Sequence, residues 1–133
     1  MISVPFTDFF RNCQAKLTGE QLKNLSADHQ YIKAGNSYLG VSFFNGMMWV
    51  HIMVGDIRGM WIVREWLGNT DIERLGFMCR PNSAMHAVAK YYSAEVEQTE
   101  QKYDDGTPIL RCVIQTQQTQ RLKKNQHKLE SVA

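Results

Sequence analysis

A chain of 133 residues with 44% hydrophobic and 21% charged side chains has the composition of one globular domain, long enough to bury about two thirds of its unfolded surface. Its formal net charge of +2 singles out no class of partner, and no apolar run approaches the roughly 18 residues that a membrane helix needs. Cys13, Cys79 and Cys112 lack metal-ligand spacing, which favours reduced thiols over a disulfide framework, and no basic region precedes an apolar one at the N-terminus. A cytoplasmic protein with no metal site is expected.

In chain order, Phe6, Phe9, Phe10, Cys13 and Leu17 share one face of a helix over Thr7 to Leu17. Thr18 and Gln21 have capping-box spacing, and Leu22 and Leu25 carry a second short helix as far as His29, with Gly35-Asn36 as the break. Asn45-Gly46 then joins Tyr38–Phe44 to Met47–Val54 as an antiparallel hairpin, because Asn-Gly accepts the positive backbone angles of a tight turn. Met47 to Val54 holds only one ionisable side chain, His51, and reads as a strand near the middle of a sheet. Gly55 and Gly59 bracket a reversal into a helix over Met60 to Leu67, stopped by Gly68-Asn69, and the free amides at such a helix start suit an anion.

A third strand ends at Cys79, and Pro81-Asn82-Ser83 opens a helix whose Met85, Val88, Ala89 and Tyr92 share a face. Asp104-Asp105-Gly106 marks the turn of a last hairpin between Val96–Tyr103 and Ile109–Gln115, whose first strand is polar enough to be an edge. These readings give an α+β protein of α/β-type layers, a central mixed sheet flanked by helices. One domain spans residues 1–115. Residues 116–133 form a polar tail in which four Lys and Arg lie between Arg121 and Lys128, a solvated end or a nucleic-acid contact.

From about Tyr38 to Gln115 this order of elements resembles the GNAT acyltransferase superfamily. In that family a loop with Arg or Gln followed by Gly-x-Gly-x-Gly or Ala presents backbone amides to the CoA pyrophosphate, and here the matching run is Arg58-Gly59-Met60-Trp61-Ile62-Val63. Trp61 and Val63 stand where the family has a second glycine and a small residue, and bulky side chains hinder the approach of a phosphate. Asn82 matches a second family position, and Tyr91 and Tyr92 lie just past the place of the tyrosine that protonates the departing CoA thiolate. Small, glycine-poor members of this fold encoded by tailed phages, some of them virion or accessory proteins, look similar. That resemblance implies a location in host cytoplasm or virion.

Several residues have two readings each. His51 is a general base acting through a water or a hydrogen-bonded sheet histidine, and the second is favoured. Asp56 is that base or a helix cap, with capping favoured, and Arg58 binds phosphate or sits solvated at even odds. Trp49, Trp61 and Trp66 are expected in the core, and Cys79 as a buried thiol rather than a nucleophile. Three functions follow. A non-catalytic structural or interaction protein with a protein partner would fill its cofactor groove with Trp61 and Val63; this one cause explains both motif departures, and the reading ranks level with or slightly above the next. An acetyl-CoA-dependent N-acetyltransferase would use Arg58, Gly59, Met60, Trp61, Val63 and Asn82 for the cofactor, His51 or Asp56 as base, and Tyr91 or Tyr92 as acid. A nucleic-acid-associated module would use the tail.

Overall fold

In the computed structural model, residues 1–116 are described, and they build a seven-stranded mixed sheet with helices on both faces. The chain runs β1 (Ile2–Val4), α1 (Phe6–Cys13), a 3-10 turn (Gln14–Lys16), α2 (Gly19–Lys23), β2 (Gln30–Ala34) and β3 (Ser37–Phe44). It continues through β4 (Met47–Val54), α3 (Gly59–Leu67), β5 (Arg74–Cys79), α4 (Ala84–Tyr91), β6 (Glu95–Lys102) and β7 (Pro108–Gln115). Strand order is β1-β2-β3-β4-β5-β7-β6, and every neighbouring pair is antiparallel except β4 and β5. The expected central strand, the β4–α3–β5 crossover and the polar edge strand β6 all stand where the sequence puts them.

Two strands escape the sequence reading. The sequence reading carries the second helix to His29 and assigns no strand to residues 30–34; α2 ends at Lys23 and Gln30–Ala34 pairs with β3. Gly35 has a φ of 61°, so the Gly35-Asn36 pair is the turn of a β2–β3 hairpin and not a helix stop. β1 has only three residues and pairs along β2. It is too short to show a period.

Asn45 and Gly46 have φ of 48° and 71°, the left-handed pair that a tight hairpin turn requires. The hairpin they close is irregular. Gly40 faces Ile52 and Val41 faces Val50, which leaves His51 as an extra residue without a register partner. Such a bulge turns the strand over. Before it, Met48 and Val50 face the core beneath α3 and α4; after it, Ile52 and Val54 face Phe9, Cys13 and Tyr31 in the smaller core beneath α1. This explains why β4 reads apolar throughout, since each half buries a different face.

Helix α3 buries Met60, Val63 and Leu67 and turns Trp61, Ile62 and Trp66 outward. Its first residue, Gly59, is fixed by packing: a Cβ there would lie 2.7 Å from Ser37 Cβ and 3.2 Å from the Ala34 carbonyl oxygen. Helix α4 is capped by the Ser83 hydroxyl and packs Met85, Val88, Ala89 and Tyr92 on the larger core. Thr116 is fully buried, its amide bonded to the Glu73 carbonyl, so the domain includes this residue. The expectations for the basic tail beyond it lie outside the described residues.

Candidate functional site: a fork between two parallel strands

β4 and β5 pair only from Met47 with Arg74 to Val50 with Phe77. Beyond Val50 the two strands part, and the bulge at His51 is where β4 leaves. The gap is a cleft of about 510 Å³, with Phe77 and Cys79 on one wall and His51 to Met53 on the other. Strand separation exposes backbone groups that must find other partners. One is the Met53 carbonyl, which accepts from the Gln21 side-chain amide at 3.0 Å. Gln21 is held for this by the capping box of α2, in which Thr18 and Gln21 bond each other's backbone amides at 3.1 and 3.0 Å.

The mouth of the cleft is bridged by charge. Arg80 reaches Glu20 of α2 on one side and Asp105 of the β6–β7 turn at 2.8 Å on the other, and its guanidinium lies 4.1 Å above the Tyr103 ring. Lys23 pairs with Asp104 at 2.7 Å and ties the same two segments. Tyr103 lines the cleft and burial raises its pKa, so the phenol stays protonated at neutral pH.

His51 is half-buried and lines the cleft. Its Nε2 and the Ser42 hydroxyl are 2.8 Å apart, and its ring stacks on His29 at 4.0 Å with 7° between planes. Burial lowers the pKa of His51, and the neighbouring His29 lowers it further. Burial likewise lowers that of His29, against a smaller opposing pull from Asp28. The hydrogen-bonded sheet histidine and the candidate base are therefore the same residue, neutral at pH 7 and facing a cavity.

Most of the other candidates lie elsewhere. Asp56 does not face the cleft. Its carboxylate accepts from the Arg58 amide at 2.9 Å and from Arg58 Nε at 2.6 Å, and these bonds hold its pKa below the usual carboxylate range. The Gly59, Met60 and Trp61 amides are bonded to the carbonyls of Asp56, Ile57 and Arg58. A carboxylate and three turn bonds thus occupy the helix start that the family pattern offers to a pyrophosphate. Arg58, with 81% of its side chain exposed, is bound to Asp56.

Met60 and Val63 have fully buried side chains in the larger core, and Asn82 is an exposed turn residue with φ of 62°. Trp61 neither fills the cleft nor enters the core: it is 40% exposed and packs against Tyr91 and Tyr92 at ring distances of 5.1 and 5.6 Å. The expectation of core tryptophans fails for Trp66 too, also 40% exposed, because both sit on the outer side of a helix whose inner side is complete without them. Tyr91 and Tyr92 belong to this outer seam, Tyr92 lying under the Arg64 guanidinium at 4.3 Å. Among the described residues the one tyrosine lining the cleft is Tyr103.

Cys79 is buried as expected, but it has a partner: its sulfur lies 3.6 Å from that of Cys112. Donation from Cys112 and from Ser83 outweighs burial and brings the Cys79 thiol down to about 7, while the same contact and burial raise Cys112. Of the two, Cys79 lines the cleft.

The sequence matches no protein-family model and no curated relative. Solved structures do resemble the fold. The ribosomal-protein-S18-alanine N-acetyltransferase from Escherichia coli is 13% identical with a TM-score of 0.56, over 86% of this chain and 91% of that one. A putative N-acetyltransferase from Lactobacillus plantarum has a TM-score of 0.48 at 11% identity, over 83% of this chain and 84% of its own. A Bacillus subtilis acetyltransferase in complex with CoA has a TM-score of 0.40 at 10% identity, over 85% and 86%. At this identity the likeness to the first establishes the fold, a GNAT-type mixed sheet with flanking helices.

Proposed function

We propose that the protein is acyltransferase-like, its β4–β5 fork taking the arm of an acyl thioester and its His51 serving an acceptor amine. The observation that carries this reading is the open fork itself, about 510 Å³ held apart by the bulge at His51 and by Gln21. A thioester supplies an activated acyl carbon, on which an amine forms a C–N bond while the C–S bond breaks. Neutral His51 takes the proton the amine loses, through a water, and the Tyr103 phenol returns one to the departing sulfur. The fork fits an extended arm. The start of α3 does not fit a pyrophosphate as it stands, because Asp56 holds that position.

This mismatch favours a second reading, a non-catalytic interaction protein. The outer side of α3 presents Trp61, Ile62 and Trp66 beside Tyr91, an aromatic surface suited to a protein partner. Calorimetric titration separates the two. Acetyl-CoA and acetyl-pantetheine, which lacks the pyrophosphate, should bind the unmodified protein within about tenfold of each other, and Asp56→Asn should strengthen acetyl-CoA alone. Binding of neither compound by either protein refutes the acyl-transfer reading and leaves the interaction surface.

A further inference from the structure

We propose that the face of the sheet below the fork carries a second binding site, for an oxyanion borne on a planar aromatic group, built by Arg74 and Arg111 around the Trp49 indole. The floor follows from register. Trp49 of β4 lies opposite Gly76 of β5, and Gly76 opposite Val113 of β7. A Cβ at Gly76 would lie 2.5 Å from the Trp49 ring, so the indole covers a position that only glycine leaves open. Arg74 and Arg111 project from the same face on either side of it.

The two arginines differ from Arg11, Arg58 and Arg80 in one respect. Arg11, Arg58 and Arg80 each pair with a carboxylate. Arg74 and Arg111 are half-buried, yet among the described residues neither has a carboxylate within salt-bridge distance. Arg74 Nη2 donates to the Asn45 carbonyl at 3.3 Å, and the Arg111 guanidinium stands 5.7 Å from the Trp49 ring centre. Glu97 is the cross-strand neighbour of Arg111 but stands beyond salt-bridge distance, and a cation partly withdrawn from water without a close counter-ion is costly. An incoming anion supplies what the fold leaves out.

Both arginines line one hollow of about 360 Å³ with Ser42, Phe44, Met47 and Trp49. No helix among the described residues packs there, since α3 and α4 cover the opposite face and α1 sits over Ile52 and Val54. Guanidinium groups select an oxyanion, and the indole face, with Met47 and Phe44, selects a flat apolar carrier. Trp49 also lines the fork, and Ser42 bonds His51, so the hollow and the fork share a wall. Binding here does not rest on the acyl-transfer reading.

Four probes on the isotopically labelled full chain test the site by NMR: benzoate, phenyl phosphate, benzamide and inorganic phosphate. Saturable shifts of the Trp49 indole N–H and Arg111 Nε–H by benzoate or phenyl phosphate are expected, and whichever binds tighter distinguishes carboxylate from phosphate as the preferred oxyanion. Benzamide and inorganic phosphate should bind at least about tenfold more weakly, each lacking one of the two features recognised. The R74M/R111M variant should lose about tenfold or more in affinity for the aromatic anion, and R74K/R111K, which keeps both charges, should lose less. Equal binding of benzamide, unchanged affinity in a folded R74M/R111M, or no saturable shift with either aromatic anion at millimolar concentration would overturn the proposal. Should R74M/R111M fail to fold, the benzoate-to-benzamide ratio of the unmodified protein decides alone.

Discussion

Gly59→Ala separates two explanations of the same glycine. In the family pattern that position lets a phosphate approach the backbone; in this chain it lets α3 approach the β2–β3 turn. The added Cβ would sit 2.7 Å from Ser37 Cβ, 2.8 Å from Ser37 Oγ and 3.2 Å from the Ala34 carbonyl oxygen. Ordinary contact starts near 3.4 Å, so the first contact alone demands a shift of several tenths of an ångström from fully buried neighbours. The Ser37 hydroxyl cannot swing away freely, because it donates to the Asp56 carbonyl. Overpacking of this kind costs about 1–3 kcal/mol, and alanine's helical preference returns up to about 1 kcal/mol, so the net loss centres on about 1–2 kcal/mol. For a domain of this size that lowers Tm by roughly 3–10 °C. Gly19→Ala is the control: its Cβ meets nothing within 4 Å, so stability should hold or rise slightly. Ser37→Gly removes the opposing atoms, and Gly59→Ala with Ser37→Gly should lose at least about 1 kcal/mol less than the two single losses added. Additive losses, or a Gly59→Ala protein as stable as the parent, would refute the packing argument. Unchanged stability with weakened acetyl-CoA binding would favour the phosphate explanation.

Three further predictions rest on the same geometry. Since burial lowers the folded-state pKa of His29 and His51, the unfolded chain binds more protons below about pH 6.5, and stability should be full above that value and fall as pH drops through it. His51→Gln should flatten the Tm profile between about pH 8 and pH 5, and an equally steep profile in the variant would exclude the stacked pair as its source. The Cys79 thiol, brought to about 7, should be alkylated before Cys13 and Cys112, with a rate midpoint near that pH. Peptide mapping that finds Cys13 or Cys112 modified first would contradict the assignment. Thr18→Ala removes half of a capping box from a five-residue helix and should cost about 1 kcal/mol in urea unfolding, with faster amide exchange in α2; no change would show α2 held by its ion pairs alone.

The elements that could be read from the sequence are those whose signals are local. Asn45-Gly46 declares its turn, Ser83 its helix cap, and Met85, Val88, Ala89 and Tyr92 their face, because each depends on neighbours within a turn or two. β2 is not legible because Gly35-Asn36 serves a helix stop or a hairpin equally well, and only pairing with β3 decides between them. The site was harder still. Its fork depends on one residue without a register partner, His51, and a single ionisable side chain in an apolar run does not by itself mark a bulge. Its walls come from α2, β4, β5 and the β6–β7 hairpin, so Arg80 and Tyr103 belong to no motif, and the capping-box spacing of Gln21 announces a helix start but not a cleft wall. Family spacing along α4 points to Tyr91 and Tyr92, but that helix ends at Tyr91 and both rings pack against Trp61. Arg58-Gly59 matches the family spacing for reasons of its own: an ion pair with Asp56 and close packing on Ser37.

The two ends of the candidate cofactor path are thus in opposite states, and a single cause does not explain both. At the start of α3, donors and acceptors are satisfied within the loop: the Asp56 carboxylate takes the place of an external anion beside the Arg58 amide. At the fork the chain does the reverse. It keeps two strands apart, supports the freed Met53 carbonyl with a side chain from another element, and spans the mouth with Arg80 between Glu20 and Asp105. Closing the fork by continuing the β4–β5 ladder would return backbone hydrogen bonds and bury apolar wall, so an open fork is the less stable arrangement unless something occupies it. An internally satisfied helix start therefore does not entail a filled cavity. A groove plugged by Trp61 and Val63 would have implied both together, whereas Trp61 lies on the outer seam and Val63 in the core, leaving the cavity free. Under the proposed acyl-transfer reading, ligand selection at the fork would fall instead to His51, Tyr103 and Cys79, three of the residues that line it.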